Sequence, residues 1–232
     1  MERIKIAIIG DYNFTFNAHH ATNLALDHAA NFLETEINYY WVRINEVAQQ
    51  KIGFFELYDA FWVAPGPYLN PFFLNGIFSR LMHLNKPVFI TGEGFKLFID
   101  FWVSKNGLNA TGEKLISDNL VTGSYFEPIQ INPKSKAFIK LYEHCAPNEL
   151  SAVRYSLYPN LILDLMANHI EIEAVNQFED PEAISIKDQF FFLALSYYPQ
   201  VSSTRDIPHP VVYTFVKAAM NHQQRTHSSE ET

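Results

Sequence analysis

The chain has 232 residues and a formal net charge of −8, from 25 acidic and 17 basic side chains. That balance weighs against nucleic acid and an anionic membrane surface as partners, and the length leaves no room for a multidomain ATP-driven synthase. No apolar run approaches the ~20 residues of a bilayer span, the N-terminal MERIKIAIIG lacks a signal-peptide layout, and the single cysteine, Cys145, excludes an intramolecular disulfide and points to a reducing cytoplasm.

Ile4 to Ile9 is a continuous β-branched run that ends in Gly10-Asp11, as expected of a strand buried on both faces of a parallel sheet. From Ala18 to Leu33 the apolar residues recur at three and four, which predicts a helix. Ile37–Ile44 reads as a second strand and Tyr58–Ala64 as a third, broken by Pro65-Gly66-Pro67. A helix is expected over Asn75–Leu84, a fourth strand over Pro87–Thr91 and a further helix over Phe95–Val103. This alternation predicts right-handed βαβ units with the ligand site at the carboxyl ends of the strands.

The second half is less regular. Leu120–Ile131 suggests two short strands around Gly123, and Ser135–His144 a helix. Ile170–Val175, Ala183–Ile186 and Phe190–Tyr198 read as strands, with the Phe190–Phe192 run as strand core. A last helix is expected over Val211–Met220. One domain over 1–222 and a disordered polar tail over 223–232 are the expectation. Aromatic residues make up 15% of the chain, which predicts a bulky core or an apolar partner surface.

Three loops could build a site. Thr91-Gly92-Glu93-Gly94 joins a buried strand directly to a helix, an elbow that holds one side chain at the sheet edge beside the helix N-terminal N–H groups. Ala64-Pro65-Gly66-Pro67-Tyr68 follows the third strand. Tyr197-Tyr198-Pro199-Gln200 follows the late strand. Taken singly, the first two are also what ordinary turns contain.

Taken together and in order, these segments resemble the class I glutamine amidotransferases, most closely the glutaminase domain of CTP synthase. IKIAIIGDYN, HHATNLALDHAA, YYWVRI, YDAFWVAPG, PVFITGEGF and YPQVSSTRDIPHPVVYTFVKAA carry the resemblance, from residue 4 to about 220 with a divergent middle from about 105 to 185. The chain looks most like the small stand-alone relatives of that domain. The resemblance implies a flavodoxin-like α/β fold, with a mostly parallel central sheet and helices on both faces.

It also implies a Cys–His–Glu triad, in which a thiolate attacks the amide, the histidine moves the proton and the glutamate orients the histidine. At the matching positions this sequence has Gly92, Tyr198 and Gln200. Glycine has no nucleophile, tyrosine is a poor base near neutrality, and glutamine cannot balance an imidazolium. No catalytic residue is intact, and a pseudoenzyme is the expectation. The candidate binding residues are Gly66, Tyr68, Glu93, Gly94, Lys96 and Arg154. Pro67 replaces a glycine of the family and removes an N–H, and Glu93 sets an anion where developing negative charge would have to be held. Arg154-Tyr155 resembles the family's Arg-Tyr pair at the glutamine carboxylate.

The expected partners are therefore a small molecule, amino-acid or nucleotide-like, or a protein, including a second copy. The alternative is an enzyme or enzyme subunit with amidotransferase-related activity in pyrimidine nucleotide (CTP) biosynthesis. No cofactor is expected, since neither a GxGxxG fingerprint nor a P-loop occurs. His19, His20 and His28 lack the spacing of a metal set, and a solvated or capping role is expected for them. Asn13-Phe14-Thr15 and Asn109-Ala110-Thr111 match the glycosylation triplet without further support.

Overall fold

A computed structural model describes residues 3–121, 125–143 and 145–230. In chain order the first half comprises β1 (Ile4–Ile9), α1 (Asn17–Phe32), β2 (Ile37–Val42), α2 (Ile44–Gln49), α3 (Ile52–Glu56), β3 (Ala60–Val63), α4 (Leu74–Leu81), β4 (Val88–Thr91) and α5 (Glu93–Asn106). There follow β5 (Glu127–Gln130), β6 (Asn132–Pro133), α6 (Lys136–Tyr142), β7 (Asn148–Ser151), α7 (Pro159–Ala167), β8 (Ile170–Val175) and β9 (Pro181–Ile186). The last elements are β10 (Phe192–Leu195), α8 (Pro199–Ser202) and α9 (Pro210–Glu230).

The central sheet has the order β2-β1-β3-β4-β10-β9-β8-β6. Its first five strands run parallel, and the next three are added antiparallel. A separate antiparallel pair, β5 and β7, lies outside it. Two apolar cores cover the faces. Side chains alternate between them: Ala7, Ile9, Phe61, Val63 and Ile90 pack with α4 and α5, whereas Ile6, Ile8, Trp62 and Phe89 pack with α1 and α9. Burial on both faces is why these strands read as unbroken apolar runs. This is the flavodoxin-like α/β architecture. Among the described residues, no helix is long and apolar enough to cross a membrane.

Several sequence expectations need correction. Arg43 caps a helix that starts at Ile44, so the second strand stops at Val42. Within Leu120–Ile131 the described residues contain one strand, β5, and Gly123 lies outside them, as does His144 at the end of the expected α6. The β10 strand begins at Phe192, and Phe190 instead lies beneath Arg225, 4.7 Å from the guanidinium carbon to the ring centre. The last helix runs into the segment expected as a polar tail. Helix α9 continues through 223–230, anchored where Gln223 Nε2 donates to Arg3 O and Asp59 Oδ2, each at 3.3 Å.

Candidate functional site

The elbow between β4 and α5 is formed as its sequence suggests. Gly92 caps α5 with φ 63° and ψ −130°, a region that side chains other than glycine adopt only with strain. What surrounds Gly92 is the more telling fact. A Cβ there would lie 2.7 Å from Tyr198 Cζ, 2.8 Å from its hydroxyl and 3.0 Å from Pro65 Cβ. The Tyr198 ring occupies the space into which an elbow side chain would project. Its phenol is held well above the ordinary tyrosine range, first by burial and then by the neighbouring Tyr155 and Glu93.

Glycine is used twice more where elements touch. A Cβ at Gly94 would meet the Tyr68 hydroxyl at 2.7 Å, so the bare first turn of α5 makes room for Tyr68. Tyr68 is buried and donates to Ala64 O. A Cβ at Gly66 would collide with the Glu93 carboxylate, which folds over the Pro65-Gly66-Pro67 loop. Burial raises the Glu93 carboxyl, and Lys96 opposes the rise. Gly66, Tyr68, Gly92, Glu93, Gly94 and Tyr198 thus come together at the carboxyl edge of β3, β4 and β10.

Beside them opens a cavity of about 360 Å³. Gly66, Pro67, Glu93 and Tyr198 form its floor, and Thr15 to Ala18 from the start of α1, together with Phe126, Ala152 and Val153, form its walls. Phe126 stands edge-on to Tyr198 at 5.4 Å. Of the six candidate binding residues, Gly66 and Glu93 line this cavity; Tyr68 and Gly94 pack behind it, and the other two lie apart from the cluster. Lys96 is one turn further along α5 and pairs with Asp100 at 2.6 Å, on a different depression with Lys114 and Asp118. The Arg154 guanidinium lies 5.7 Å from the centre of the Phe178 ring.

Gln200 is 1% exposed, and neither its amide nitrogen nor its oxygen has a hydrogen-bond partner among the described residues. A buried amide without partners costs about 1–3 kcal/mol. Gln200→Met, similar in shape and free of donors, is therefore expected to raise the urea midpoint, by the equivalent of about 1–2 kcal/mol. An unchanged or lowered midpoint would mean the amide is satisfied in solution.

Two features escaped the sequence reading. His19, expected to be solvated or capping, is 1% exposed and joins two site loops. Its Nδ1 accepts from the Asn13 N–H at 3.0 Å, which leaves Nε2 to donate to Pro65 O at 2.9 Å. Burial lowers its pKa, so the neutral ring fits this bridge. The other feature is a buried cluster behind α8. Glu149 Oε1 accepts from Tyr142 Oη and from His209 Nε2, both at 2.8 Å, and the Tyr142 and Tyr197 hydroxyls are 2.7 Å apart. His209 Nδ1 accepts from Val211 N–H at 3.3 Å, so both ring nitrogens are engaged. The nearby Cys145 thiol is pushed up by burial and by Glu149, the reverse of thiolate activation. Among the described residues no three His, Cys, Asp or Glu side chains are grouped to hold a metal ion.

No protein-family model matches the chain. A curated relative is CTP synthase of Onion yellows phytoplasma (strain OY-M), 23% identical over 252 positions that cover 96% of this chain and 45% of the relative. The chain thus spans less than half the length of that protein. Among solved structures, the glutaminase domain of Trypanosoma brucei CTPS, determined with bound acivicin, superposes with a TM-score of 0.74 at 18% identity, covering 94% of both chains. A Thermoplasma acidophilum protein assigned to GMP synthase, as one of its subunits, gives 0.65 at 10% identity, over 98% of this chain and 99% of its own. The chain therefore has the fold of class I glutamine amidotransferases and resembles the CTP synthase glutaminase domain.

Proposed function

We propose that the chain is a glutaminase-like domain that does not hydrolyse glutamine and instead binds a small molecule in the cavity beside the elbow. The observation that carries this reading is the fit of Gly92 to Tyr198: the residue at the elbow has no side chain, and a phenol fills the space one would need. Covalent amide hydrolysis requires an acceptor atom at the elbow and a base beside it, and neither is available from glycine and a tyrosine held protonated. The donors for an oxyanion are impaired too. Pro67 lacks an N–H, and the Glu93 carboxylate leans over Gly66.

The test is direct. Purified chain incubated with millimolar glutamine is expected to release no ammonia above the buffer rate. Turnover that disappears in Tyr198→Phe would overturn the reading and favour the alternative, an amidotransferase subunit of pyrimidine nucleotide synthesis. A second reading, a protein partner or a second copy, is supported by the exposed Phe14 and Leu69, 85% and 80% accessible on one depression next to the cavity. Light scattering of the pure chain across concentration tests the self-association half of it.

A further inference from the structure

Glu93 is the one charged side chain among those lining the 360 Å³ cavity. Among the described residues its carboxylate makes neither a hydrogen bond nor an ion pair. The nearest cation on its own helix, Lys96, is engaged with Asp100 at 2.6 Å. The rest of the lining is mostly aromatic and apolar, with Phe16, Phe126, the Tyr198 ring, Ala152 and Val153, and its uncharged polar side chains are Thr15 and Asn17, besides the hydroxyl-bearing Tyr198 ring.

A half-buried carboxylate without a partner is costly, and whatever enters beside it is selected by charge. An anionic head would be repelled. A neutral head could give one hydrogen bond. A cation would give a charge-assisted bond in a site of reduced dielectric, and π-faces stand nearby to receive its flank. From this juxtaposition we infer that the cavity takes a small organic cation, a primary ammonium or guanidinium head on a short apolar body. The head sits on Glu93 and the body lies against Phe16, Phe126 and Tyr198. The inference rests on the reading that the cavity binds a ligand and does not turn glutamine over. The volume admits a ligand of roughly ten non-hydrogen atoms, given that pockets of about 300 Å³ already hold small ligands.

Three probes of one shape and different charge test it: benzylammonium, benzyl alcohol and benzoate, titrated into the full chain and followed by calorimetry or NMR shifts. Benzylammonium is expected to bind at least tenfold more tightly than benzyl alcohol, and benzoate more weakly than either. In Glu93→Gln the preference for the cation over the alcohol is expected to fall to within about twofold, with alcohol binding retained as the internal sign of an intact cavity. Equal binding of cation and alcohol by the unmodified chain, a preference for benzoate, binding of none of the three, or a cation preference that survives in Glu93→Gln would each overturn the inference. Ammonia release from glutamine would overturn the underlying reading, whereas absence of both ammonia release and cation binding would overturn only this step.

Discussion

Gly92→Cys, which places a thiol at the elbow, is expected to destabilise the chain by about 2–6 kcal/mol and to release no ammonia from glutamine. Two separate costs make up that figure. The backbone at Gly92 holds φ 63°, where a β-carbon adds strain of about 1–3 kcal/mol. The new side chain must then enter space already held by Tyr198, with its Cβ 2.7 Å from the ring carbon that bears the hydroxyl. Overpacking of this kind costs about a further 1–3 kcal/mol. A double-mutant cycle separates the two. Tyr198→Ala alone removes a buried ring and lowers stability. In the Tyr198→Ala background, Gly92→Cys is expected to keep the backbone cost and the contact with Pro65 but to lose the clash with the ring, so the pair is less destabilising than the sum by about 1–3 kcal/mol. Strict additivity in urea unfolding would show that the phenol does not occupy the elbow space. The double variant, too, is expected to release no ammonia, because a thiol at 92 with alanine at 198 lacks a base.

The segments legible in the sequence are those whose burial is symmetrical. β1, β3 and β4 pack on both sides, so their residues form uninterrupted apolar runs, and each ends in a turn that glycine or proline announces. The helices α2 and α3, with six and five residues, are too short to express a period. β7 escaped for another reason: its buried residues are the polar Glu149 and Ser151, so no apolar alternation marks the strand. Helix α9 was cut short because its last turns are polar. Its continuation depends on Gln223 reaching Arg3 and Asp59, residues distant in the chain.

The site divides in the same way. Gly66, Gly92, Glu93 and Tyr198 were found because they lie in loops punctuated by glycine and proline at the ends of strands. Phe126, Ala152 and Val153 approach the cavity from the divergent middle, where no motif singles them out. His19 is a different case. Its role is to receive the Asn13 N–H and donate to Pro65 O, which depends on bringing His19 to a loop 46 positions further along the chain. A lone histidine in a helical pattern carries no sign of such a bridge.

The second large effect belongs to Glu182, which is fully buried on β9 and expected to make the unmodified chain progressively less stable as pH rises. Its Oε1 accepts from the Asn176 amide at 2.6 Å and its Oε2 from the Ser196 hydroxyl. Burial outweighs these bonds and lifts the carboxyl to about 8, with Asp180 adding to the rise and Arg154 opposing it. The unfolded chain loses that proton near pH 4.5. Between these two values the native state holds a proton that the unfolded state has released, so stability falls with rising pH, by at most about 1.4 kcal/mol per unit for one group. The contribution is complete below pH 4.5 and gone once pH passes about 8. Glu182→Gln keeps an oxygen for Asn176 and gains an N–H for Ser196, and its amide does not titrate. Urea unfolding of both chains from pH 5 to pH 9 should therefore give nearly equal stabilities at the acid end. The gap should then widen to a few kcal/mol in favour of the variant at the alkaline end, and groups shared by the two chains cancel in the difference. Parallel curves would mean that Glu182 is ionised throughout and that its two hydrogen bonds outweigh its burial.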